Sequence, residues 1–202
     1  MSDTQVPSTL IDADGSRRSF LRRSALLSGA AVALLGGVPL RGIAAHNDAQ
    51  ASSDVNILNV ALGLEHEGIA AYQIGAVSGL LDKPTLAVAS LFLSHHEGHR
   101  EALVGAIKQM GGTPVNAMSM DHYKASEKLN VKAIKTAADV LRLAQRLELG
   151  AVNAYIGVMP SFKERSLSQV AGRLIADETM HWTALTQALG ESLPQPTLSF
   201  GA

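Results

Sequence analysis

Six residues of this chain could do metal chemistry, and they fall into two sets of similar spacing: Glu65, His96 and His99, then Glu148, Glu178 and His181. Glu65 precedes His99 by 34 residues and Glu148 precedes His181 by 33, and three residues before the last histidine of each set stand His96 and Glu178. Carboxylate oxygens and imidazole nitrogens together suit Fe or Mn, with Zn favoured by affinity where supply is uncontrolled. The 202-residue chain has no cysteine, which excludes disulfides, thiolate nucleophiles, iron–sulfur clusters, cysteine zinc sites and a rubredoxin-type electron relay. Any metal must sit on nitrogen and oxygen.

The surroundings of these residues repeat too. Leu64-Glu65 followed by Tyr72 recurs as Leu147-Glu148 followed by Tyr155, and His99 with Ala102-Leu103 recurs as His181 with Ala184-Leu185. On a helix, steps of three, four and seven return to one face. Glu65 then shares a stripe with Leu58, Ala61, Leu62, Ile69 and Tyr72, and Glu148 with Leu141, Ala144, Ala151, Val152 and Tyr155. Phe92, His96, His99 and Leu103 form a third stripe, and Leu174, Glu178, His181 and Leu185 a fourth. Three carboxylates and three imidazoles are thereby predicted at a helical core. Burying such groups unpartnered costs several kcal/mol each, against a total stability of about 5–15 kcal/mol. Divalent cations would offset that cost.

The elements that must position them are helical. The chain is 47% hydrophobic and 17% charged, aromatics make up only 4%, and β-branched alternation is scarce. A 3.6-residue period runs over about 55–80, 84–110, 133–158 and 167–189. Pro84 stands at a helix start, while Gly111-Gly112, Pro160 and Gly190 follow helix ends. Some twenty polar, poorly periodic residues separate the second and third segments, and the other connections are short. The fold class is therefore all-α, a four-helix bundle with a long connection between helices 2 and 3.

This pattern resembles the ferritin-like superfamily, particularly exported or stress-associated ferritin-like domain proteins, whose opening helix reads much like Leu58-Asn59-Val60-Ala61-Leu62-Gly63-Leu64-Glu65. The resemblance covers about 55–190. It implies a di-iron or di-manganese centre held by a Glu from each of two helices and a Glu-x-x-His from each of the others. Glu65, Glu148, Glu178, His99 and His181 match ligand positions of that pattern; His96 stands where the family motif has Glu. A carboxylate can bridge two metals whereas an imidazole binds through one nitrogen at a time, so one metal and two both stay open. The implied function is an exported metal-binding protein, an oxidoreductase if its centre reacts with peroxide or oxygen. The alternative is a non-catalytic envelope or stress-protection protein that keeps the bundle as a scaffold. An iron-storage cage fits least, because the tail 191–202, with Pro194 and Pro196, lacks the pattern of a short fifth helix.

Around the six candidates, Glu67, Glu97 and Glu101 read as a solvated helix face and His66 and His122 as surface residues. His95 is either a partner of a ligand or a substitute for His96, and Asp177 either orients an imidazole of the opposite hairpin or faces solvent. Tyr72 and Tyr155 read as core tyrosines.

Residues 1–51 read as a targeting segment. Ser16-Arg17-Arg18-Ser19-Phe20-Leu21-Arg22, an uncharged stretch from Ser24 to Leu40 and Ala49-Gln50-Ala51 resemble a twin-arginine export signal with its cleavage site. The uncharged stretch is short of the roughly 18–20 apolar residues that span a bilayer, so the expectation is a periplasmic or otherwise exported protein with no stable membrane anchor. Its partners would be metal ions and the twin-arginine export machinery, with homo-oligomer formation open. A net charge of −1 gives no sign of nucleic-acid binding. The domain plan is a signal over 1–51, a ferritin-like bundle over 52–190 and a C-terminal tail over 191–202.

Overall fold

The computed structural model describes residues 48–201. The Arg17-Arg18 motif and the uncharged stretch after it lie outside the described residues; Ala49-Gln50-Ala51 falls in the first turn of a helix. Five α-helices follow one another: α1 (Asp48–Val77), α2 (Lys83–Gln109), the short α3 (Met120–Ala125), α4 (Ala137–Val158) and α5 (Arg165–Ala188). Among the described residues there is no strand, and no helix is long and apolar enough to cross a membrane.

Local chemistry fixes the helix ends. Asp82 caps α2 by accepting from the Thr85 backbone N–H at 2.9 Å. Thr136 and Asp139 form a capping box that starts α4 at Ala137, some four residues later than periodicity predicts, since Val131–Ala133 is a separate 3-10 turn. α2 and α5 end alike. Gly111 and Gly190 adopt φ of 76° and 71°, and the next residue's N–H returns to Ile107 O at 2.9 Å and to Thr186 O at 3.0 Å. A side chain would be strained at that φ, so both glycines are required by the helix stop.

The helices pack as two hairpins, α1 with α2 and α4 with α5, joined chiefly where α1 meets α4. Two apolar clusters lie along the bundle. One contains Leu58, Leu62, Leu103, Ile107, Tyr155 and Leu174; the other contains Tyr72, Phe92, Ala144 and Leu185. In sequence, Glu65, His96, His99, Glu148, Glu178 and His181 all fall between the residues of these clusters, so the polar groups occupy the middle level of the bundle.

The connection between α2 and α4 is more ordered than its polar composition suggests. Asn59 of α1 donates to Thr113 O at 3.1 Å and accepts from Val115 N at 2.8 Å, pinning its start. Tyr123 of α3 and Leu129 are buried against Ala70, Ile74 and Leu143. Two apolar anchors in a polar segment are too few to show a period, but enough to seat it. The tail carries no helix after α5, yet it folds back: Phe200 meets the Trp182 ring edge-on at 5.1 Å and Gly201 N donates to Asn153 Oδ1 at 2.7 Å.

Candidate metal centre

Each helix hairpin brings its own glutamate and its own pair spaced by three to the middle of the bundle. Glu65 comes from α1, His96 and His99 from α2, Glu148 from α4, and Glu178 and His181 from α5; all six are buried. They form two overlapping groups, Glu65 with His96, His99 and Glu178, and His96 with Glu148, Glu178 and His181, each with its ligand atoms within 4.8 Å of one another. The groups share His96 and Glu178. Sequence symmetry suggested one group per hairpin, whereas each hairpin borrows one residue from the other.

Glu178 shows how the sharing works. Its Oε1 lies 3.2 Å from His99 Nδ1, and its Oε2 lies 3.3 Å from His181 Nδ1. His96 also spans the groups, with Nδ1 at 2.9 Å from Glu65 Oε2 and Nε2 at 3.2 Å from Glu148 Oε1.

Further side chains orient four of these six. The Tyr155 hydroxyl donates to Glu65 Oε1 at 2.6 Å, and the Tyr72 hydroxyl donates to Glu148 Oε1. Each tyrosine thus serves the glutamate of the other hairpin. His99 Nε2 lies 3.2 Å from Asp177 Oδ2, and His95 Nδ1 lies 2.8 Å from His181 Nε2. A ligand histidine whose far nitrogen is held in this way has its near lone pair aimed and its tautomer fixed. Asp177 therefore orients an imidazole of the opposite hairpin, and His95 is a partner of His181 rather than a substitute for His96. The bonds of the two tyrosines were missed from sequence alone. Their signal was the repeated step of seven residues from each glutamate, which places the hydroxyl at the right level for the neighbouring helix.

None of the residues read as peripheral joins the six, but Glu67 is not on a solvated face: its side chain is only 19% exposed and lines a cavity that reaches Glu65. His122 is exposed; His66 is half-buried, its Nε2 3.2 Å from Val115 O. Glu67 pairs with Lys128 at 2.6 Å, Glu101 with Arg100 at 2.8 Å, and Glu97 is partly exposed.

The electrostatics are those of a site balanced by protons when no cation is present. Burial pushes the Glu65 carboxyl up, but hydrogen bonds from His96 and His99 outweigh it and bring it down to about 2. Burial pushes His96 down, yet Glu148 and Glu65 raise it to about 10; Asp177, Glu178 and Glu65 likewise raise His99, against burial, to about 12. Glu178 is raised, by burial first and by the neighbouring Glu148 carboxylate next. Burial raises both tyrosine hydroxyls well above the usual phenol value, helped by the glutamate each one serves.

The donor set fits a divalent metal on a direct observation. Glu148 Oε2, Glu178 Oε2 and His181 Nδ1 are buried and have no hydrogen-bond partner, and the histidine nitrogen lies 3.4 and 3.3 Å from the two oxygens. Ligands on one ion at about 2.0–2.2 Å stand no more than ~4.4 Å apart. Three unpartnered atoms converging at such separations are what a cation would satisfy. A cavity of about 170 Å³ reaches Glu65, His96 and Glu178 from between α1 and α4, with Lys128 and Arg146 also lining it. At about 30 Å³ per water molecule, it has room for a few molecules of that size.

Residues 53–191 match the ferritin-like domain family. Among solved structures, a conserved hypothetical protein from Mycobacterium tuberculosis is similar in fold, with a TM-score of 0.61 and 23% identity over 74% of this chain and 99% of that one. No curated protein matches the chain by sequence.

Proposed function

Because this chain belongs to the ferritin-like domain family, we propose that it is an exported metal-binding protein whose paired site holds two Fe or Mn ions and reacts with peroxide or oxygen. α1, α2, α4 and α5 are then the four helices of a ferritin-like bundle, and the segment from Met110 to Thr136 is its long connection. The observation that carries the reading is the convergence of Glu148 Oε2, Glu178 Oε2 and His181 Nδ1, buried and unpartnered. Glu65, His99 and His96 would hold one ion, Glu148, His181 and His96 would face the other, and Glu178 would lend an oxygen to each. Fe or Mn so held would pass electrons to one peroxide and regain them from a second, so that peroxide consumption needs no further reductant.

The chain's own groups support that chemistry in three ways. Asp177 and His95 fix the imidazoles of His99 and His181 from behind. Tyr72 and Tyr155 hold the carboxylates of Glu148 and Glu65 from opposite clusters. The cavity beside Glu65 and His96 admits reactants of water or peroxide size.

The test is metal analysis of the mature protein purified from the exported fraction, followed by peroxide consumption. Bound Fe or Mn, with consumption lost in Glu178→Ala, is the expected result. Bound metal with no turnover would remove the peroxide reaction and leave metal binding, and metal-free protein would overturn the reading in favour of the scaffold alternative. Export rests on Arg17-Arg18 within the twin-arginine-like segment. Replacing both arginines by lysine should strand the protein in the cytoplasm on cell fractionation; unchanged delivery would defeat that assignment.

A further inference from the structure

A second cavity, of about 270 Å³, lies toward the end of the bundle where α1 leads into α2. It is walled by four helices and open to solvent on one side: Ala76 of α1, Val88 and Ala89 of α2, Leu141 of α4 and Leu185 of α5 all line it, Val88 at the exposed mouth. No charged side chain lines it, and only two of its lining residues, Tyr72 and Thr85, carry a polar one. The Tyr72 hydroxyl is given to Glu148, and the Thr85 backbone N–H to Asp82, which leaves the Thr85 hydroxyl as the one polar side-chain group on the wall.

We propose that this cavity is a binding site for a small neutral apolar molecule. Its chemistry selects the class. A charged ligand would find no counter-ion and a sugar or peptide at most the Thr85 hydroxyl as a partner, so both would lose hydration with little replacement. A dry cavity of about 150 Å³ takes benzene, and one nearly twice as large takes a hydrocarbon of about eight to ten carbons. The size is below that of usual drug-sized pockets, which run from about 300 to 1,000 Å³ and are likewise mostly apolar.

Its position gives the site a consequence. Phe92, part of its wall, stacks on the ring of His181 at 4.1 Å, and Tyr72, another part, holds Glu148. The wall between this cavity and the buried carboxylates and imidazoles is one side chain thick. A bound molecule therefore presses on two groups that orient that cluster. The binding claim itself stands whether or not the cluster holds metal.

The probes are 1-octanol and octanoate, the same chain length without and with a charge, titrated calorimetrically into the mature protein. The expected result is one 1-octanol per chain, with octanoate at least tenfold weaker. Ala89→Leu and Ala184→Leu, which fill the cavity from α2 and from α5 at partly buried positions, should each weaken 1-octanol at least tenfold. Two variants are used so that one that fails to fold can be discarded. Absence of 1-octanol binding, equal binding of octanoate, or undiminished binding in a folded filling variant would overturn the proposal.

Discussion

The Tyr155 hydroxyl on α4 donates to Glu65 Oε1 on α1 at 2.6 Å, so the tyrosine two turns beyond Glu148 on its own helix orients the carboxylate of the opposite hairpin. Tyr72 does the same for Glu148 from the other side. The two bonds cross between the hairpins and hold the glutamates in place before any cation arrives. Removing such a support usually costs about 10–100-fold in metal affinity. Tyr155→Phe should therefore weaken Mn(II) binding by about that factor while lowering stability by about 1.5–3 kcal/mol. A titration of the variant that matches the parent protein would show that the bond is merely structural.

Without metal, the site should make stability depend on pH in two windows. His96 and His99 are raised from 6.5 to about 10 and about 12, so their contribution is complete below pH 6.5 and is lost as pH rises through the folded values. Glu65 is lowered from 4.5 to about 2, so its contribution is complete above pH 4.5 and is lost as pH falls toward 2. Glu178, raised, and His95, lowered, act in the opposite sense. The metal-free protein should lose melting temperature steadily from pH 6.5 to 10. Metal ligation requires neutral imidazole and releases those protons, so saturating Mn(II) should flatten that slope. A flat profile in the metal-free protein would contradict the assigned charge states.

Asp54 supplies a test of the fold apart from the site. It is buried in α1 and accepts from Lys163 N at 3.1 Å and Glu164 N at 2.9 Å, where the chain turns into α5. Asp54→Ala leaves two backbone donors unpaired and should cost about 1–3 kcal/mol, read as a fall in the urea midpoint. Asp54→Asn keeps an acceptor and should recover much of the loss. Metal stoichiometry should not change in either variant, and a change would tie the α1–α5 corner to the site.

The sequence made the four long helices and the six buried polar residues legible because both follow from periodicity, and because duplication repeated the Glu, His and Tyr spacing; the short α3 has too few apolar residues to show a period. Asp54 was invisible for the opposite reason. Its partners are backbone groups more than a hundred residues away, and no period or motif announces a bond of that kind. The start of α4 was misplaced because Lys132-Ala133-Ile134 continues a helical pattern that the Thr136–Asp139 capping box overrides. The sharing of His96 and Glu178 between the two groups depends on how the hairpins meet, which spacing within one helix does not encode.

If one paired site holds two ions through a shared Glu178, the number of metal ions bound per chain must show it. Apo protein titrated with Mn(II) should bind two equivalents per chain, and Glu178→Ala, which removes an oxygen from each group, should bind at most one with reduced affinity. No bound equivalent in the parent protein, or an unchanged count and affinity in Glu178→Ala, would rule out a two-ion site shared through Glu178.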